Sequence, residues 1–306
     1  MTTPHVSFLG SRLAGASGTQ VRQAANLAED VGLDGLGVGD HVSFYVGAGA
    51  DGLTAATSIL ACSDRLEAVV GVYLLPLRHP VTVARQVADI ASLAPGRLVL
   101  GVGVGGEDPH EFEICGVDPK TRGRRMDESL RILRGLLAGD AVDLDGEFFS
   151  VRNALIRPVP SAPVPVLVGG RSEAAIRRAG RLGDGWYGIW ISPSRYANAV
   201  EEMHTAAAEA GRSDVEWHNA INVWCGVGAD GTEARPYVAS AMQAFYQLPY
   251  ERFERWSPAG APAEIADFLQ PYVDAGCRTF NVIACGESLE AEIDAVGEIR
   301  RKLCAA

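Results

Sequence analysis

The chain has 306 residues, 47% hydrophobic and 21% charged, an ordinary globular composition with length for one large core or two domains. Its formal net charge of -11 argues against general nucleic-acid binding and against docking on an anionic membrane, while leaving room for a local basic pocket for an anionic cofactor. No apolar run approaches the ~20 residues of a membrane span, and no basic segment followed by a long apolar one marks secretion. The six cysteines (Cys62, Cys115, Cys225, Cys277, Cys285, Cys304) form no C-x-x-C pair, which argues against a disulfide framework and a structural zinc site. The expectation is a cytoplasmic protein without a metal.

Residues 5–10 read as a first strand. Ser17 and Gln20 have capping-box spacing. Val21, Ala24, Ala25, Leu27, Ala28 and Val31 then follow helical periodicity, closed by Gly32. The second strand covers 33–41, a glycine-rich loop 46–52, a helix about 54–62 and the third strand 65–75. Pro80 suits the first turn of a helix. Its apolar stripe is Val83, Val87, Ile90 and Leu93, and Ala94-Pro95-Gly96 ends it. The fourth strand lies in 96–106, and its exit loop, 107–121, is long and polar. An amphipathic helix over 122–138 presents Met126, Leu130, Leu133 and Leu137 on one side. Residues 140–165 break the rhythm: 146–151 alternate like a small hairpin, and a proline-rich connector follows. Strands over 164–168, 184–190, 215–227 and 279–284 then alternate with helices ending at Leu182 and over 193–210, 233–246, 262–275 and 289–303.

Eight strands alternating with helices imply a parallel sheet, and this length favours a closed α/β (β/α)8 TIM barrel over an open sheet. The hairpin is a short insertion after the fourth helix. The expectation is a single barrel domain over 1–306, with the excursion at about 140–165.

Side chains alternate faces along a strand. On the fourth strand Val99, Gly101, Gly103 and Gly105 share one face. On the second, Gly35, Gly37 and Gly39 share a face with His41. Glycine packs nothing, so two such rows suggest that a ligand approaches bare backbone there. The bland reading is close packing of neighbouring elements.

Chemistry in such a barrel sits at the C-terminal ends of the strands. His41, Glu107, Asp108, Arg171, Trp186, Tyr187, Trp190 and Cys285 are all at or just past such ends. His41 is the strongest candidate, since imidazole moves protons near neutral pH. Glu107 or Asp108 offers a carboxylate, or only solubility. Arg78 offers a counter-charge to an anion. Gly169-Gly170-Arg171-Ser172 leads into a helix: it is either a phosphate-binding helix start or a helix merely capped by Ser172, and Glu173 weighs against the former. Trp186 and Tyr187 read more as barrel core than as substrate wall. The glycines of 101–106 are not a dinucleotide fingerprint, because a strand and not a turn holds them.

Several motifs, in order, are similar to those of the bacterial luciferase-like monooxygenase family. They are Gly37-Val38-Gly39-Asp40-His41, Leu75-Pro76-Leu77-Arg78-His79-Pro80 and the glycine-rich fourth strand. They continue with Arg122-Gly123-Arg124-Arg125 with Asp127-Glu128, the Gly-Glu-Phe-Phe hairpin, Gly169-Gly170-Arg171-Ser172 and Asp184-Gly185-Trp186. The resemblance runs to about residue 200 and weakens beyond 210. It implies a (β/α)8 barrel with a flavin-type ring at the C-terminal mouth. It points to the branch that transfers hydride with the deazaflavin coenzyme F420. FMN-dependent monooxygenation with oxygen and a reductase partner, and flavin binding without turnover, are the alternatives.

By the resemblance, His41 steers protons beside the ring, and Asp40 contacts the cofactor or braces the loop. A non-proline cis peptide at Gly71-Val72 supports the back of the ring. Gly103, Val104, Gly105 and Gly106 line the cofactor, as do Gly169, Gly170, Arg171 and Ser172, these last near phosphate. Some F420 enzymes carry a catalytic Glu at the position of Gly106. Here the carboxylate comes one residue later, as Glu107. Implied partners are a small-molecule substrate and, by family habit, a second copy in a homodimer.

Overall fold

The computed structural model describes residues 3–45 and 47–305. Val46, the first residue of the expected glycine-rich loop, lies outside them. Strand β1 is His5–Leu9 and helix α1 is Gly18–Asp30. Both arms of the expected capping box form: Ser17 Oγ accepts from the Gln20 amide and Gln20 Oε1 from the Ser17 amide. Strand β2 is Gly35–Val38, and α2, Gly52–Cys62, is capped by Asp51 on the Thr54 amide at 2.8 Å. Strand β3 is Glu67–Tyr73, and α3, Pro80–Leu93, places Pro80 in its first turn. Strand β4 is Leu98–Val102, followed by a short α4, Pro109–Ile114, and by α5, Arg122–Ala138. Strands β5, Val142–Asp145, and β6, Ser150–Ala154, form the antiparallel hairpin.

The second half runs β7 Val166–Gly169, α6 Glu173–Leu182, β8 Gly185–Ile189 and α7 Pro193–Glu209. It continues through β9 Ala220–Val227, α8 Gly231–Tyr246, β10 Ala259–Gly260, α9 Pro262–Asp274, β11 Thr279–Cys285 and α10 Leu289–Ala305.

Neighbours run β9-β11-β1-β2-β3-β4-β7-β8, all in parallel, and β8 pairs back onto β9 through Tyr187 and Ala220. Eight strands therefore close an α/β barrel, as the alternation predicts. The short β10 extends β9 at its C-terminal end. One face of each strand packs on the helices: Val6 and Phe8 of β1 join Val83 and Val87 of α3 and Leu130 and Leu133 of α5 in one buried cluster. The other face fills the barrel with a second cluster that includes Leu9, Val69, Leu167, Tyr187, Trp224 and Ile283. Among the described residues no helix is long and apolar enough to cross a membrane.

Several expected bounds are corrected: the third strand is shorter than 65–75, and the strand expected over 215–227 starts at Ala220. The second strand stops at Val38, because the Asp40 carboxylate takes the amides of Gly52 and Leu74 and turns the chain out of the ladder. The fourth stops at Val102, so Gly103 to Gly106 form its exit loop. The "polar loop" after it contains α4. The hairpin turn occupies 146–149, where the Glu128 carboxylate accepts from the amides of Glu147, Phe148 and Phe149. The β3–β4 ladder shifts register between Val70 and Tyr73, and the Gly71–Val72 peptide there is cis, as the resemblance implies.

Candidate active site

A cavity of about 250 Å³ opens at the C-terminal ends of the barrel strands. It is lined by the sequence-predicted residues His41, Asp40, Gly71, Val72, Gly103, Val104, Gly105, Glu107, Gly169 and Gly170. Three predicted residues stand outside that lining: Gly106, Arg171 and Ser172. Ser172 Oγ is occupied as the α6 cap, accepting from the Ala175 amide at 3.3 Å. The Arg171 guanidinium stacks over the Trp190 ring at 5.2 Å. The capped-helix reading of this stretch therefore describes its side chains, while its glycine backbone reaches the cavity.

His41 is held by a residue that the sequence reading missed. Its Nδ1 lies 2.9 Å from Glu111 Oε2, and Glu111 Oε1 accepts from the amides of Val42 at 2.7 Å and Ser43 at 3.1 Å. The Glu111 side chain is 3% exposed and that of His41 17%. With this carboxylate on Nδ1, a neutral ring carries its proton there and has Nε2 as its acceptor, and the residue lines the cavity. The short α4 delivers Glu111. Asp108 caps this helix on the His110 amide at 3.0 Å and also accepts from the Tyr45 amide at 2.6 Å. Two carboxylates on one short helix thus tie down the segment that carries His41. Glu107, the carboxylate favoured by position, is exposed, and its carbonyl accepts from Tyr45 Oη at 3.1 Å.

Asp40 is turned into the scaffold. Arg78 donates to it twice, at 2.5 and 2.9 Å, and the Leu74 and Gly52 amides donate at 2.8 and 2.9 Å. Burial pushes this carboxyl above its ordinary range, and Arg78 and the two amides pull against that shift. Of the two roles implied, bracing is the one its side chain performs. Arg78, offered as an anion partner, is taken by Asp40.

The glycine rows divide by depth. A Cβ at Gly35 would meet Ser7 and Glu67, one at Gly37 would overlap Leu9 and Val69, and one at Gly101 would meet the Tyr187 ring. These lower glycines make room for barrel side chains, which is the bland reading. Higher up, a Cβ on Gly39 would meet no atom of the described residues within 4 Å, and Gly39 lines the cavity. Gly106 and Gly170, at φ +122° and +130°, hold conformations that side chains rarely adopt.

Among the described residues, three buried polar atoms of cavity-lining side chains have no hydrogen-bond partner: Tyr187 Oη, Asn222 Oδ1 and Trp190 Nε1. Asn222 stands beside the phenol, yet the two do not reach hydrogen-bond geometry. Burial pushes the Tyr187 phenol well up, so it stays a donor. Trp186, by contrast, is core, with Nε1 donating to the Gly170 carbonyl at 2.7 Å. Burial also raises the Cys285 thiol to about 12, which removes it as a nucleophile. Open backbone at Gly39 and the largely apolar lining of Val72, Val104, Ile189 and Trp190 fit a flat heteroaromatic ring.

The luciferase-like monooxygenase family model matches residues 3–278. An uncharacterized protein of Mycobacterium tuberculosis is 38% identical over 161 residues, a match spanning 53% of this chain and 54% of that protein, about half the length of each. An F420-dependent glucose-6-phosphate dehydrogenase of Rhodococcus hoagii is 29% identical over 300 residues, covering 88% of both. The solved structure of an F420-dependent secondary alcohol dehydrogenase superposes with a TM-score of 0.85 at 20% identity, over 99% of both chains. With the barrel, the strand-end cavity and a match over nearly its whole length, the chain belongs to the luciferase-like monooxygenase family.

Proposed function

We propose that the protein is an F420-dependent oxidoreductase that moves hydride between the deazaflavin and a small organic substrate. The observation that carries this reading is a carboxylate-oriented imidazole at the rim of a cavity walled by bare backbone. The 29%-identical relatives named as F420-dependent dehydrogenases support the choice of cofactor.

In this reading Gly39, Gly71, Val72, Gly103, Val104 and Gly105 flank the ring, and Tyr187, Asn222 and Trp190 meet its polar edge or the substrate. Gly169 and Gly170 admit the chain leading to phosphate. Arg171 and Arg122 supply counter-charge outside the cavity; Arg122 packs beside Gly106, 3.4 Å from where a Cβ would stand. The bound deazaflavin supplies a carbon centre that accepts or returns hydride. His41 Nε2 takes the substrate hydroxyl proton in one direction and returns it in the other. Glu111 fixes the imidazole in the tautomer that this requires and compensates the charge that develops on it. Glu107, which also lines the cavity, is the second candidate for acid–base work.

Purified protein is to be mixed with reduced F420 and with reduced FMN, each with and without oxygen. Tight F420 binding with anaerobic turnover is the expected result. Oxygen-dependent turnover with FMN would replace this reading with monooxygenation. Cofactor binding without turnover across a broad substrate screen would make the protein a flavin carrier.

A further inference from the structure

Resting on the F420 reading above, we propose that the substrate is an uncharged alcohol or ketone with an aromatic or branched apolar body, and not a sugar phosphate. The cavity is also walled by Trp190, Trp224, Phe245 and Tyr246. Trp190 and Tyr246 meet edge-on with ring centroids 4.8 Å apart, Phe245 and Tyr246 likewise at 4.8 Å, and Trp224 lies 5.8 Å from both Phe245 and Tyr246. Phe245 also reaches His41, edge-on at 5.5 Å. The aromatic wall therefore stands beside the proton-transferring group, where the body of a substrate has to lie. Ile189 and Ile283 line the same cavity.

Charge points the same way. Among the described residues lining the cavity there is no Lys or Arg. Arg78 is bound twice by Asp40, and Arg171, over the Trp190 ring outside the lining, is assigned in this reading to the phosphate of the cofactor. The lining residues that can carry charge near neutral pH are Asp40, His41 and Glu107, and His41 is bound to the buried Glu111. A phosphate dianion entering would lose its hydration without gaining a counter-charge. A hydroxyl or carbonyl oxygen, in contrast, needs one acceptor or one donor. The neutral His41 ring offers the first at Nε2 and, once protonated, the second.

The step balances with no further reagent. In oxidation the O–H proton goes to His41 Nε2. The C–H electron pair leaves as hydride to the deazaflavin, and the C–O bond becomes a carbonyl. Reduction runs the same transfers backwards.

The test pairs two measurements on the full chain. Calorimetric titration compares acetophenone with glucose-6-phosphate in the absence of cofactor. Turnover then compares acetophenone reduction by reduced F420 with glucose-6-phosphate oxidation by F420. Acetophenone is expected to bind at least ~10-fold more tightly and to be turned over at least ~100-fold more efficiently. Trp224→Ala is expected to weaken acetophenone binding about 10-fold. Equal or tighter binding of glucose-6-phosphate, its being the better substrate, or no binding of acetophenone overturns the proposal. Acetophenone binding without any binding of F420 supports the substrate class and overturns only the cofactor reading.

Discussion

At the scale of single residues, the site depends on His41 and on the carboxylate that aims it. His41→Ala is expected to leave the fold intact and to remove about 10²–10⁴-fold of turnover, the usual share of a general acid–base. Full activity in that variant would refute the role. Glu111→Gln is the finer probe. A glutamine keeps an acceptor for the Val42 and Ser43 amides but turns an N–H₂ group toward Nδ1, which then has to accept. We expect kcat to fall about 10²-fold with KM and Tm nearly unchanged, as for a misoriented base. Equal losses in kcat and stability would make Glu111 a purely structural anchor. His41 was legible in the sequence because it follows a glycine-rich strand and ends a family motif. Glu111 was not, although its signal was present: Asp108-Pro109 is a cap followed by a first-turn proline, which starts a helix inside what reads as a loop.

At the scale of elements, strand phase predicted that glycines would expose backbone, and depth in the barrel decides which of them do. Two substitutions on one short stretch separate the cases. Gly39→Val adds a side chain where no atom of the described residues lies within 4 Å, so the protein should fold normally and lose cofactor affinity as the cavity fills. Gly37→Val drives a side chain into Leu9 and Val69 and should cost about 1–3 kcal/mol of stability, read as a lower denaturation midpoint. If Gly39→Val binds cofactor as the parent does, the glycine wall is not the ring site. The eight strands and their order were readable because each apolar run sits between turn signals. Strand ends were overestimated at the second and fourth strands. There, side-chain carboxylates and positive-φ glycines take over from the ladder, and no periodicity records such competition.

At the scale of the whole molecule, the barrel is tied to its last helix by an ion pair at the far end from the cavity. Arg300 of α10 donates to Asp34 at 2.8 and 2.9 Å, and Asp34 also accepts from the Val6 amide at 2.8 Å. Burial alone would raise the Asp34 carboxyl, but these donors outweigh it and hold it below its ordinary 3.8. The pair's stabilisation is therefore present above that value and lost as pH falls toward the depressed one. Asp34→Asn should cost about 2 kcal/mol at neutral pH and flatten the acid limb of the stability curve. An unchanged acid limb would show that the pair contributes nothing.

The site at the opposite end carries the central claim, that bare backbone and an aimed imidazole together bind a deazaflavin. Equilibrium titration of the protein and of its Gly39→Val variant with oxidised F420 and with FMN tests it most directly. The account predicts saturable F420 binding by the parent, far weaker FMN binding, and loss of F420 affinity in the variant despite an unchanged Tm. Absence of F420 binding, or equal F420 affinity in both proteins, would contradict it.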